Sequence, residues 1–489
     1  MSTIKYITAL AFAAILLTIV SCTKDFDVIN TNNNAPETVT AQLLLPGIQR
    51  DMMGAVLGEA WGIGNIVVQH TAKNQFVNED RYLWGEINSI WNNVYDNMRD
   101  VYNIIQLADN NGDKATKGLA LTMKSWMYSL ATDCYGDIPY TEAIQAKQGV
   151  FYAKYDTQED IYEGILKDLE EANTLLASSS AKIGGDLIYG GDPAKWRKLA
   201  NSLRVRYLMR ISGKKDVKAR LATIINDPVN HPVFKSVADN ATYTYKAASP
   251  DQFPLFSTRI GSFNEFRASK TLLDTLQSLN DPRLSVFFRP TPKSEGTANP
   301  VYIGIPNGMD DVTALTYAGG AENHSRISAF YFENANTAEG LAIAKGVIMT
   351  YAELQFLLAE AAAKSLITGD VNQFYSEGIK ASYAFYGLAP TSEYLNQTEV
   401  KLLGNATDLQ KIGFQKWISF FYQGLEAWFD WRRTGIPALK PAVSNQNGNK
   451  IPVRFIYPII EQGLNGDNRA QAVARQGEDD INTKMWSIK

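Results

Sequence analysis

The chain has 489 residues, with 47 basic against 51 acidic side chains and a formal charge of −4. That length holds two or three ordinary domains or one large α-rich domain. The charge balance excludes the basic stripe that nucleic-acid binding needs. Three His and two Cys leave little room for a zinc cluster or a disulfide framework, whereas 9 Trp, 24 Tyr and 21 Phe are a large aromatic reserve.

Residues Ile7 to Val20 form a nearly unbroken apolar run of 14 residues preceded by Lys5. This is short of the roughly 20 residues a membrane-spanning helix needs and reads as a secretory signal. The signal ends in Ile19-Val20-Ser21-Cys22, which resembles a bacterial lipobox. Cleavage there would remove residues 1–21 and leave Cys22 as a lipidated N-terminus; a periplasmic protein cut nearby, with Cys22 free, is the alternative. Residues 22–40, with the Asn-rich stretch Asn30 to Asn34 and Pro36, read as a tether, and 41–489 as one domain. Lys24-Asp25 and Asp27 after the cysteine resemble the surface-export signal of Bacteroidetes lipoproteins, with Phe26 interrupting the acids. Cys134 then has no partner and is expected to be a buried thiol.

The body reads as mainly helical. Long helices are expected over Glu86–Ala108 and Lys114–Thr132. Another starts at Thr157, whose partner Asp160 lies three residues on, and another at Asp192-Pro193, an N-cap followed by an N1 proline. Tyr351–Ile367 and Asp370–Tyr386, joined by Thr368-Gly369, read as a tetratricopeptide-like hairpin, and Leu409–Trp431 as a last helix. Between about 227 and 346 the helical period fades into a proline-punctuated, aromatic-rich insertion with short extended pieces.

No H-E-x-x-H, G-x-S-x-G, P-loop or G-x-G-x-x-G element occurs, so no nucleophile, metal or cofactor is expected. The pair Asp310-Asp311 suits calcium only by the general preference of that ion for carboxylates. His70, His231 and His324 are isolated and read as structural. Aromatic rings remain as the chemical resource, because a flat ring stacks on the C–H face of a sugar while amides and carboxylates bond its hydroxyls. Trp61, Asn74, Phe76, Tyr82 and Trp84 before the first long helix, with Tyr317 and Phe330 in the insertion, are the candidate ligand residues. Any single ring packs the core more often than it serves as a ligand platform.

Several motifs in order resemble the SusD/RagB family of outer-membrane lipoproteins. They are Asp133-Cys134-Tyr135-Gly136-Asp137-Ile138-Pro139-Tyr140, then Ala200-Asn201-Ser202-Leu203 with Arg206, and Leu358-Ala359-Glu360-Ala361. Glu426-Ala427-Trp428-Phe429-Asp430-Trp431-Arg432-Arg433-Thr434-Gly435 follows, and Pro452-Val453-Arg454-Phe455 closes the set. These motifs read as structural: a tight turn and a buried charge network locking helices together. The resemblance implies an all-α-dominated scaffold with tetratricopeptide-like hairpins and an irregular ligand face. It also implies a lipid-anchored, outward-facing protein that captures an oligosaccharide without catalysis and delivers it to a SusC-like TonB-dependent transporter. Capture of an oligopeptide is the alternative within that class. An all-α surface glycan hydrolase or lyase and a purely structural transporter scaffold are the alternatives outside it.

Overall fold

The computed structural model describes residues 39–489. The proposed signal peptide, Cys22 and nearly all of the tether lie outside the described residues. Ala41–Lys489 packs as one compact unit. Its main helices are α1 (Ala41–Glu59), α2 (Ser89–Asn111), α3 (Lys114–Tyr135), α4 (Gln158–Ala177), α5 (Pro193–Ile211) and α6 (Lys218–Ile225). Then follow α7 (Lys270–Ser278), α8 (Tyr351–Ala363), α9 (Val371–Phe385), α10 (Asp408–Ser419), α11 (Gly424–Thr434) and α12 (Gly466–Gln476). No described helix is long and apolar enough to cross a membrane.

Local signals set many boundaries. Asp192 accepts from the Ala194 and Lys195 amides and Pro193 opens α5, while Thr157 accepts from the Asp160 amide at the head of α4. Gly112, in the left-handed region at φ 66°, closes α2 by donating to Ala108 and Asp109, and Asp113 at once caps α3. Helix α2 begins at Ser89, three residues after the expected Glu86. The Glu86 carboxylate instead accepts from the Ile459 amide at 2.8 Å and from Asn88, which holds residues 85–88 as a loop.

Helices α2 to α5 pack consecutively, each on the next; α5 passes the chain to α8, on which α9 and α10 lie. The α8–α9 hairpin is the tetratricopeptide-like unit expected. Gly378 of α9 faces the Phe356 ring of α8 so closely that an added Cβ would sit 2.8 Å from it. The expected single helix Leu409–Trp431 is two helices, broken at residues 420–423. Tyr422 takes φ 62°, and Gly424 meets Gly64 backbone to backbone, leaving 2.4 Å between an added Cβ and the Asn65 amide nitrogen. A continuous helix could not turn Phe420, Phe421 and Tyr422 all into the core while making that contact. Gly424→Ala is therefore expected to cost about 3 kcal/mol, read by denaturant unfolding, whereas Gly463→Ala, with nothing within 4 Å, is expected to change little.

The motif turn after α3 behaves as a clasp. Gly136, at φ 87°, lies against Gln476 of α12, and Asp137 accepts from the Gln158 amide at the start of α4. Tyr457 donates to the Asp137 carbonyl at 2.7 Å, and Cys134 is a buried free thiol. The insertion carries α7, several short helical turns and strand pieces. Among the described residues the strands form three two-stranded antiparallel pairs. These are β1 (Thr71–Lys73) with β5 (Phe266–Ala268), β2 (Ile138–Pro139) with β3 (Tyr155–Asp156), and β4 (Ala241–Thr244) with β6 (Lys345–Met349). Two of these pairs stitch the insertion to the helical body.

An aromatic and acidic cleft as the candidate functional site

The pairing of β1 with β5 builds the site. Lys73 stands opposite Phe266 and Ala72 opposite Arg267, so side-chain alternation puts Lys73 and Phe266 on one face. The Lys73 ammonium lies 5.2 Å over the Phe266 ring and bonds Glu79 at 2.9 Å and Glu265 at 3.4 Å. Helix α1 runs into one π-helical turn, Ala60–Gly64, an insertion often found at functional sites. That turn presents Trp61, whose ring stacks on Phe266 with centroids 3.7 Å apart. Trp84 forms another wall. Its indole donates to the Glu79 carbonyl at 2.9 Å and its ring rests edge-on against Trp428 and Phe455.

Together these groups line a cleft of about 580 Å³ that also takes in Glu59, Leu83 and Glu86. A smaller hollow of about 280 Å³ beside α9, between Asp370 and Leu402, has Tyr375 as its ring. That hydroxyl donates to the Val400 carbonyl.

Burial pushes the Glu59 carboxyl up to about 7, a rise only partly offset by a hydrogen bond with Ser89; no charged group contributes. A carboxyl raised from an unfolded value near 4.5 weakens the fold as pH climbs towards 7, because the folded state holds the proton longer. Its cost is complete above pH 7 and absent below about 4.5. Glu59→Gln is expected to raise stability by about 1–2 kcal/mol at pH 8, after allowance for solvent, and to leave it nearly unchanged at pH 4.5. Thermal melts at the two pH values check this.

The other candidate residues take different places. Asn74 is fully buried; its amide reaches the Glu265 and Asn264 carbonyls at 2.8 and 3.1 Å and accepts from Arg267. Tyr82 is buried at φ 62°, its hydroxyl accepting from the Ala442 amide. Both brace the loop between β1 and α2. Buried Asp80 braces it too, raised to about 6 by burial and bonded to Lys73 and Asn307. Phe76, on the same loop at φ 50°, is 68% exposed. Tyr317 packs half-buried on a satellite cluster that includes Val77, and its carbonyl bonds His324. Phe330 sits half-buried in a short helical turn near Tyr331. The structure thus brings Trp61 and Trp84 together in the cleft and leaves Asn74, Phe76, Tyr82, Tyr317 and Phe330 outside it.

Glu59, Lys73, Glu79, Glu265 and Phe266 line the cleft without having been singled out from sequence as ligand residues. Carboxylates are too common for any one to stand out. His70 is buried and bonded to the Trp417 carbonyl, and Asp310 caps a short helix through the Thr313 amide.

The family model described as "Starch-binding associating with outer membrane", of the SusD-like type, matches residues 33–458. The chain belongs to the SusD-like family. It is similar to the crystal structure of a SusD homologue from Bacteroides fragilis NCTC 9343, at 26% identity and TM-score 0.81, covering 92% of this chain and 100% of that one. A chitin-binding protein is 30% identical with TM-score 0.78, covering 92% of this chain and 99% of that one. A chitin-binding SusD homologue from Flavobacterium johnsoniae, at 22% identity and TM-score 0.76 over 91% of this chain and 98% of that one, shares the fold. No curated protein sequence matches the chain.

Proposed function

We propose that the protein is a non-catalytic glycan-capture lipoprotein, anchored through Cys22 on the outside of the outer membrane, that passes its ligand to a SusC-like TonB-dependent transporter. The observation that carries this reading is the cleft. The half-buried Trp84 ring supplies an apolar wall, the buried Trp61 and Phe266 rings back it, and carboxylates beside them can accept hydrogen bonds from sugar hydroxyls. The chitin-binding function named for a 30% identical relative favours a polysaccharide over a peptide.

An apolar surface adjoins the cleft and supports a docking partner. Ile459, bonded through its amide to Glu86, is exposed together with Ile460 and Leu464. Asn465 and Asn468 reach across to the carbonyls of Ala153 and Tyr152, beside exposed Phe151 and Tyr152. Apolar area of this kind commonly marks a protein interface.

One observation favours a hydrolase as the second reading: Glu59, raised to about 7, shares the cleft with other carboxyls, as a general acid would. Against it, Glu79 and Glu265 are both held by Lys73. Calorimetry of the protein with a panel of oligosaccharides and peptides, followed by chromatography of each mixture, separates the readings. Saturable binding of a glycan recovered intact supports capture. Shortened products would establish the hydrolase, and binding of peptides alone would keep the capture role and change the ligand.

A further inference from the structure

Lys73 and Phe266 share one face of the β1–β5 ribbon, so Arg267, next to Phe266 in the strand, points from the other. Arg267 is 4% exposed. Buried charges are ordinarily paired, because an uncompensated ion away from water is costly. Of the six described arginines that are buried, the other five each have a carboxylate within 4 Å. Among the described residues Arg267 has none. Its terminal nitrogens donate to the Asn264 and Phe266 carbonyls and to Asn74, and its Nε–H meets no acceptor.

The group beside it carries the same charge. Ser325 takes the Ala268 amide at 3.0 Å, which brings the neighbouring Arg326 alongside Arg267. Arg326 is half-buried, its side chain donates to nothing among the described residues, and its Nε–H is also shut away without an acceptor. Burial and the Arg326 charge push Arg267 down to about 10, and exposed Glu322 offsets this only in part. Arg289, whose amide donates to the Arg326 carbonyl, is itself neutralised by Glu295 and Glu333. Fully buried His324 adds one more unmet atom. Its Nε2 donates to the Tyr317 carbonyl, which leaves Nδ1 as an acceptor with no donor.

We infer that Arg267 and Arg326 form an oxyanion-binding subsite, on the face of the β1–β5 ribbon away from the cleft, that takes a carboxylate or sulfate group carried on a glycan. A guanidinium fork matches the paired oxygens of such a group, and the anion supplies the counter-charge that the chain withholds. No hydrogen bond holds the Arg326 side chain, so its fork is free to turn onto an anion arriving from solvent. The Nδ1 atom of His324 suits a hydroxyl beside the acid, which a sugar acid carries and an inorganic anion lacks. The inference rests on the glycan-capture reading for the source of the oxyanion, and inorganic sulfate tests the subsite without that reading.

The test compares the mature protein with Arg326→Gln and Arg326→Lys. Thermal melts are run in sodium sulfate and in sodium chloride of equal ionic strength, and calorimetry uses a galacturonic acid hexamer and a neutral glucose hexamer. Sulfate is expected to raise the melting temperature of the native protein by about 2 °C or more over chloride, and Arg326→Gln should lose that increment. The acidic hexamer is expected to bind at least about tenfold more tightly than the neutral one, the equivalent of one charge-assisted hydrogen bond. That preference should fall to within about threefold in Arg326→Gln and lie between in Arg326→Lys, which keeps the charge and loses the fork. With no anion added, Arg326→Gln should melt no lower than the native protein, because it removes one of two like charges. A lower melt there, or a sulfate increment and an acidic preference that both survive Arg326→Gln, would overturn the inference. So would the absence of both effects in the native protein, and glycan capture in the cleft would still stand. A sulfate increment without the acidic preference would overturn the glycan as the source and keep the site for a free oxyanion.

Discussion

Glu360→Ala is expected to destabilise the fold by about 3–5 kcal/mol, the range for removing one partner from a buried ion network. Glu360 bonds both terminal nitrogens of Arg433 at 2.6 Å, Lys416 at 3.0 Å and Lys364 at 2.7 Å. Asp430, 2.9 Å from Lys416 and 2.8 Å from Arg433, is the only other described carboxylate within 4 Å of those two cations. Without Glu360, two buried cations would share Asp430 alone and leave a net positive charge away from water. Glu360→Gln should fall in between, because the amide keeps one acceptor and loses the charge. Urea unfolding of the three proteins gives the comparison.

The same network fixes a pH response. Burial by itself would raise the pKa of Glu360, but Arg433 and Lys416 more than reverse this and hold it well below the usual carboxylate range. Asp430 is depressed against burial in the same way, by Lys416 and Arg433. A depressed folded pKa contributes stability above the unfolded value, which is lost as pH falls through the folded one. Acid unfolding should therefore set in below about pH 4, the ordinary range of these carboxyls, and Glu360→Gln should flatten that part of the curve.

Trp84→Ala is expected to lower glycan affinity about five- to thirtyfold, since one stacked ring in a mostly apolar site contributes about 1–2 kcal/mol. It will also cost stability, because the Trp84 ring rests on Trp428 and Phe455. Binding is therefore measured well below the melting transition, with circular dichroism confirming the fold. Phe76→Ala is the paired control. Its ring is 68% exposed on the loop that leads to the cleft, so stability should move by less than about 0.5 kcal/mol. A loss of affinity there would extend the ligand surface beyond the cleft.

The scaffold was readable where its causes are local. The Asp192-Pro193 start of α5 and the Thr157 cap of α4 are written within four residues each, and the structure uses both. The break before α11 was not readable, because its cause is contact between Gly424 and Gly64, far apart in sequence. Helical periodicity continued through Phe420 to Gln423 without a proline to mark the turn. Asp430 with Arg432 and Arg433 was legible as a buried charge network; Asp430 and Arg433 do form one, with Glu360 as a partner the sequence did not mark, whereas Arg432 donates to the Val453 and Asp133 carbonyls.

The site was legible only in part, for the same reason. Trp61 and Trp84 stood out because flat rings suit sugars and amide side chains lie close to them in sequence. Glu265 and Phe266 reach them through the β1–β5 pairing, whose two short strands carry no register signal of their own. Asn74 and Tyr82 look like ligand groups by type. The structure spends both on bracing the loop, and no residue-type argument separates an amide that holds a loop from one that holds a sugar.

The most direct test of glycan capture is titration of the mature protein with β-1,4-linked hexosamine oligomers, alongside Trp84→Ala. The account predicts saturable binding by the native protein, weakened about five- to thirtyfold in Trp84→Ala while the oligomer is recovered intact. Unchanged affinity in a folded Trp84→Ala protein, or recovery of shortened oligomers, would contradict it.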